Sequence, residues 1–230
     1  MNEYKGIFID SSKVAEIKHF YDMGFVRGVT TNPTIMSKDG LSGGYEAIKS
    51  KAKEISNLVM PYPVSIELLN NNLKEMFEQA KNFAEINKNI VIKVPIHGPE
   101  GELSNLNLIK ELEENSISVN ATAIMNCQQA LFAAFSGATY VSIFCGRVNN
   151  MGYDSTLELK KTRTLVDKFK LKTNIIACSL REGINVPDWF LAGADIVTIP
   201  PQFISKLLIN PYSKETIKMF LNDANKLIDQ

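Results

Sequence analysis

A short run of β-branched and apolar residues followed by a segment with helical spacing recurs eight times along these 230 residues. The runs are GIFID (6–10), VRGVT (26–30), VSIEL (64–68), IVIKV (90–94), ISVNAT (117–122), YVSIF (140–144), NIIAC (174–178) and DIVTI (195–199). Helices are expected over roughly 12–23, 45–58, 73–86, 106–114, 127–135, 157–169, 186–192 and 201–209. In the third of these, Leu73, Met76, Phe77, Ala80 and Phe83 keep to one helical face. Ser11 is placed as the N-cap of the first helix and Gly24 just past its end. The stretch TNPTIMSKDGLSGG reads as loop. Eight alternating units imply an α/β chain closed into a (β/α)₈ TIM barrel. An open doubly wound sheet competes, but no G-x-G-x-x-G follows the first strand. With no linker or composition break, residues 1–230 are expected to form one barrel domain, with 213–230 as an additional C-terminal helix.

Closure sharpens the meaning of one residue. Lys93 stands in the middle of NIVIKVPIHG, among Ile90, Val91, Ile92, Val94, Pro95 and Ile96. In a barrel every strand is paired on both sides, so this lysine has no sheet edge to occupy. It either snorkels out between helices or points into the barrel near the carboxyl end of the fourth strand, where barrel active sites lie.

Bulk properties exclude several classes of function. Lys plus Arg and Asp plus Glu are 25 each, and no basic block or interleaved aromatic stripe suggests nucleic acid. The most apolar stretch, Ala130 to Phe135, is too short for a bilayer, and the N-terminus MNEYKGIFIDSS lacks the pattern of a secretory signal. A cytoplasmic location is the default expectation. Cys127, Cys145 and Cys178 form no C-x-x-C pair, and His19 and His97 are too scattered for a zinc site. No metal is expected.

Other strand ends are polar as well. Asp10 ends the first, Thr31 and Asn32 follow the second, and Glu67 lies near the end of the third. Asn120 and Thr122, two residues apart, share a face of the fifth. Ser142 is in the sixth with Arg147 beyond it, and Ser179 and Arg181 follow the seventh. One rim carrying an amine, two carboxylates, amides, hydroxyls and two guanidinium groups suits carbonyl chemistry on a polyhydroxylated anionic molecule. Burial disfavours the charged form of an amine, and a neutral amine attacks a ketone to form a Schiff base. The imine then serves as electron sink for the adjacent carbon–carbon bond, while Asp10 or Glu67 moves a hydroxyl proton. Each residue also has a plainer reading: an ion-paired Lys93, an Asp10 that helps cap the first helix, an Asn32 that serves the turn before Pro33, and surface ion pairs for both arginines.

The segments FIDSS, GVTTNPTIM, VSIEL, VIKVP, SVNATAIMNCQQAL, ATYVSIFCGRVNN, IIACSLR and AGADIVTIPP occur in the order found in the small transaldolase and fructose-6-phosphate aldolase family, which the chain resembles over residues 7–201. The resemblance implies a barrel, a class I Schiff-base mechanism, neither metal nor organic cofactor, and sugar phosphate substrates. It also implies a homo-oligomer, a pentamer or decamer, in which the terminal helix reaches a neighbour. It makes Lys93 the nucleophile, Asp10 the acid–base, and Glu67 with Thr122 the holders of the catalytic water. Asn32, Asn120 and Ser142 would bind the dihydroxyacetone unit, and Arg147, Ser179 and Arg181 the phosphate.

Glu67 and Phe144 resemble the transaldolase branch, because the aldolase branch tends to carry glutamine and tyrosine there. This favours transfer of a three-carbon unit from sedoheptulose 7-phosphate to glyceraldehyde 3-phosphate, giving erythrose 4-phosphate and fructose 6-phosphate. A fructose-6-phosphate aldolase-like lyase and a catalytically silent sugar-phosphate-binding scaffold are the alternatives. The chain departs from the family after the lysine strand, where His97 replaces a usual threonine and Gly98-Pro99 look inserted. Cys145 and Ile143 replace a small aliphatic residue and a proline. That loop could admit a different acceptor or bring His97 to the proton transfers.

Overall fold

A computed structural model describes residues 4–228. Its eight strands are β1 (Gly6–Asp10), β2 (Val26–Thr30), β3 (Val64–Glu67), β4 (Ile90–Pro95), β5 (Val119–Ile124), β6 (Tyr140–Ile143), β7 (Asn174–Ala177) and β8 (Ile196–Ile199). All neighbours run parallel, in sequence order, and β8 returns to β1 to close the barrel. The helices are α1 (Val14–Asp22), α2 (Pro33–Lys38), α3 (Gly44–Val59), α4 (Leu73–Ala84), α5 (Asn105–Glu114), α6 (Cys127–Phe135), α7 (Cys145–Asn150), α8 (Ser155–Lys168), α9 (Asn185–Leu191), α10 (Pro201–Leu208) and α11 (Pro211–Ile228). The TIM barrel and its extra C-terminal helix are as expected. The end of the 213–230 helix lies outside the described residues, and the helix itself starts earlier, at Pro211.

The period of two along each strand sorts the core into two parts. Outward residues such as Ile9, Val29, Ile66, Ile92, Val94, Val141, Ile175 and Val197 join the apolar helix faces in the main core. Phe8, Val91, Tyr140, Ile176 and Ile196 form a second buried cluster built from strands alone, with Cys178 and Phe144 at its edge. Two residues further along the same strands stand Asp10, Lys93, Ser142, Cys178 and Thr198. An apolar layer therefore plugs the barrel, and a polar layer lies above it toward the strands' carboxyl ends. Gly28 is required by the plug, since a Cβ there would lie 2.6 Å from the Phe8 ring.

Local chemistry departs from the sequence expectation in three places. Helix α1 begins at Val14 behind Lys13, so Ser11 is not its N-cap; the Ser11 hydroxyl accepts from Lys13 N and donates to Glu16. Asp10 does not cap the helix either. The stretch read as loop after β2 contains α2, started by Pro33 at its first position with the Asn32 side chain accepting from Ile35 N at 2.9 Å. Asp39, just past α2, accepts from Ser12 N and Ser12 Oγ at 3.0 and 2.7 Å and fastens α2 to the β1–α1 connection.

Candidate active site

A cavity of about 420 Å³ opens at the carboxyl ends of the strands. Of the residues expected there, Asp10, Asn32, Glu67, Lys93, Ser142, Phe144, Arg147, Ser179 and Arg181 line it. Asn120 and Thr122 do not; both are fully buried behind it. Asn120 spends its amide locally, donating to Ser65 Oγ at 3.1 Å and accepting from Ser142 Oγ at 2.7 Å. It thereby orients Ser142, which does reach the cavity. Thr122 Oγ1 is buried without a hydrogen-bond partner among the described residues.

Lys93 points into the barrel because it alternates with Ile92 and Val94, whose side chains belong to the outer core. Strand register sets its neighbours: Lys93 pairs with Glu67 on one side and Asn120 on the other. Its Nζ lies 3.2 Å from Glu67 Oε2 and donates to Thr31 O at 2.9 Å, with the side chain only 6% exposed. The amine is thus buried but not isolated in an apolar setting, as its own strand suggests. Its companions come from β3 and from the residue after β2. Thr31, expected on the rim, instead turns its hydroxyl away to Ser65 O and contributes only its carbonyl.

Asp10 accepts from Thr30 Oγ1 at 2.7 Å. Burial raises its carboxyl above the ordinary 3.8, Lys93 and the Thr30 hydrogen bond pull it back, and Asp39 and Glu67 push it further up. A carboxylate held toward its neutral form beside an amine suits proton exchange.

The mouth is cationic. Arg147 and Arg181 are exposed, and neither is ion-paired among the described residues. The Arg147 guanidinium lies over the Phe144 ring, 4.8 Å from its centroid. Lys38, the last residue of α2, adds a third exposed cation across the barrel from them. Nothing in the local sequence marks it, because TNPTIMSKDGLSGG has the composition of a loop. Thr30, Cys178 and Thr198 also line the cavity, and strand alternation from Ile176 and Ile196 leads to the last two. Cys178 is inert as a nucleophile: it donates to Ile143 O at 3.2 Å, and burial holds its thiol well above the usual range.

Among the described residues four non-glycines have positive φ, and two of them are ordinary helix ends, Ser116 and Lys170. The other two, Ala123 and Ser179 at φ 59° and 64°, line the cavity. Strained backbone thus gathers where β5 and β7 deliver their ends to the site. His97 is not among the lining residues; its Nδ1 lies 2.7 Å from Gly98 O in the β4–α5 loop.

The family model described as Transaldolase/Fructose-6-phosphate aldolase matches residues 7–230. The chain belongs to that family. A "probable transaldolase" of Thermoplasma volcanium is 38% identical over 221 residues, 96% of each chain. Another of Lactiplantibacillus plantarum is 38% identical over 216 residues, covering 94% of each, and one of Oceanobacillus iheyensis is 36% identical over 218. Among solved structures, a monomeric dihydrodipicolinate synthase variant matches with a TM-score of 0.63 at 9% identity, over 97% of this chain and 78% of that one, a likeness of fold alone. The chain is an enzyme of the transaldolase family. No helix of the described residues is long and apolar enough to cross a membrane, and no group of three or more His, Cys, Asp or Glu among them could hold a metal ion.

Proposed function

We propose that this enzyme is a transaldolase that moves a dihydroxyacetone unit between sugar phosphates through a Schiff base on Lys93. The observation that carries the reading is a buried amine on the cavity floor, with two carboxylates beside it and unpaired guanidinium groups at the mouth. Lys93 Nζ adds to the C2 carbonyl of sedoheptulose 7-phosphate, and loss of water leaves the protonated imine. Asp10 takes the C4 hydroxyl proton as the C3–C4 electron pair moves into the imine, releasing erythrose 4-phosphate. The remaining enamine attacks the aldehyde of glyceraldehyde 3-phosphate, and Asp10 returns the proton to the new hydroxyl. Water then hydrolyses the imine and frees fructose 6-phosphate.

Glu67 is within reach of the same nitrogen and, with Thr122, holds the water of imine formation and hydrolysis. An unpartnered buried hydroxyl such as Thr122 Oγ1 is the kind that a bound water satisfies. Asn32 and Ser142 hold the hydroxyls of the three-carbon unit, with Asn120 acting on them through Ser142. Arg147, Ser179 and Arg181 take the phosphate, for which forked guanidinium donors are suited. Phe144 has no hydroxyl to activate water, which favours transfer over lysis. The enzyme works in the cytoplasm, in the pentose phosphate route, on 1–230 as one domain. α11 has no buried residue, and Ile217, Phe220, Leu221 and Leu227 share one exposed face, which supports a homo-oligomer with this helix on a neighbour.

Borohydride reduction in the presence of fructose 6-phosphate, followed by peptide mass mapping, tests the chemistry. The expected adduct is on Lys93, and Lys93→Arg abolishes both adduct and turnover. Absence of any adduct across a panel of ketose phosphates leaves a silent binder. Turnover of sedoheptulose 7-phosphate without an aldose acceptor, at the rate seen with one, makes the enzyme a lyase instead.

A further inference from the structure

Two buried hydroxyls in the barrel have no part in the steps above. Thr30 ends β2 and Thr198 lies in β8, the two strands that flank β1. Both side chains are buried against the cavity floor. Thr30 Oγ1 stands 2.7 Å from Asp10 Oδ1 and 2.5 Å from Thr198 Oγ1. An ionised carboxylate can only accept, so the single hydroxyl proton of Thr30 goes to Asp10. The proton between the two threonine oxygens must then belong to Thr198. Donation runs in one direction, from Thr198 to Thr30 to Asp10, and each link polarises the next.

We infer that Thr198 is a positioning residue for the acid–base step: acting through Thr30, it keeps Asp10 Oδ1 occupied and leaves Oδ2 as the oxygen that exchanges the substrate proton. The inference rests on the reading of Asp10 as acid–base given above. During cleavage the C4 hydroxyl proton passes to Oδ2 while the C3–C4 electron pair enters the imine. On addition the same proton returns to the new alkoxide, and Oδ1 remains an acceptor throughout. A valine would fill the space of Thr198 equally well, two residues beyond Ile196 of the apolar plug. A hydroxyl at that depth is costly unless it is hydrogen-bonded, and its bond is to Thr30. The charged and titratable groups around Asp10 are Lys93 from β4, Glu67 from β3, Asp39 after α2 and Cys178 after β7. None of them changes when Thr198 is altered, so a change in the pH profile isolates the hydroxyl chain.

The test compares Thr198→Val with Thr198→Ser in the full-length enzyme, measuring kcat and KM for ketose phosphate across pH together with the borohydride-trapped adduct. Thr198→Val is expected to lower kcat about fivefold, the worth of the one neutral hydrogen bond it removes, and to move the acid limb of the profile upward, because Thr30 is left a weaker donor to Asp10. KM and the adduct on Lys93 stay as in the parent, and Thr198→Ser restores both kcat and limb. A valine variant with parental kcat and limb overturns the inference, and so does a serine variant that behaves like valine. Should Thr198→Val fail to fold, Thr198→Ala carries the same readouts with the same meaning. Asp10→Asn separates the two levels. If it still turns over, the acid–base reading itself falls; if it is inactive while Thr198→Val is unaffected, only the relay does.

Discussion

Gly146, the second residue of α7, bears on substrate affinity although it touches no substrate. A Cβ at this position would stand 1.7 Å from Ser179 O, 2.8 Å from the Ser179 carbonyl carbon and 3.0 Å from Arg181 Cγ. Carbon and carbonyl oxygen do not settle closer than about 3.3 Å, so Gly146→Ala forces the two segments roughly 1.5 Å apart. Neither segment yields easily. Gly146 N donates to Cys178 O, Cys178 N donates to Ile143 O, and Ser179 is already held at a positive φ. Arg147 follows Gly146 directly, and Arg181 lies two residues past Ser179, so the displacement separates the two guanidinium groups proposed to share one phosphate. A shift of this size at substrate-positioning groups costs about 100-fold in kcat/KM. Overpacking costs about 1–3 kcal/mol, and in a chain of this length each of those lowers Tm by roughly 2–4 °C. The assay is steady-state transfer between sugar phosphates, with Tm by calorimetry. KM is expected to carry most of the loss, because the phosphate is held alike before and during bond cleavage. Trapping at Lys93 by saturating ketose phosphate persists, since β4 is untouched. An alanine variant with parental KM and Tm would refute both the close packing and the shared phosphate site.

Two further expectations concern charge and assembly. Burial raises Asp10 above 3.8 in the folded enzyme, with Lys93 and Thr30 opposing, so the folded state binds this proton more tightly than the unfolded chain. Its contribution to stability therefore falls as pH rises from the unfolded value through the raised folded value, and ionised Asp10 is a net cost at neutral pH. Asp10→Asn should abolish turnover yet raise Tm at pH 7, with the gain shrinking as pH falls; a lowered Tm at pH 7 contradicts the sign. Truncation after Asn210 should remove only the helical circular dichroism of α11 itself and leave the barrel folded, since no described residue of α11 is buried, while light scattering reports a smaller assembly. An unchanged mass removes α11 from the interface.

Alternation along each strand and helical spacing between strands were enough to read the barrel, because both periods are written in neighbouring residues. The same alternation sets Lys93 on the opposite face of β4 from Ile92 and Val94, but only the folded barrel decides that this face is the inner one. Once closure is granted, the strand-end positions of Asp10, Glu67, Ser142 and the residues after β6 and β7 put them at one rim. Helix α2 is masked in the sequence by Pro33 and the nearby glycines, which read as breakers, although Asn32 before Pro33 carries the signal of a capped start. Helix α7 hid in CGRVNN, where glycine and asparagine lower local propensity and packing on β7's end overrides it.

The partners of the reactive groups were beyond any local pattern. That Lys93 meets Glu67 and the Thr31 carbonyl depends on the register of β4 against β3 and on the approach of β2's end across the barrel. That Thr30 faces Asp10 while Thr31 turns to Ser65 depends on a register shift between β1 and β2. Thr30 and Thr198 are 168 positions apart and meet only because β8 closes on β1. Periodicity is a property of adjacent residues and survives in the linear order. Register and closure are fixed by the packing of all eight strands at once, so the hydrogen bonds that give each side chain its role exist only in the completed barrel.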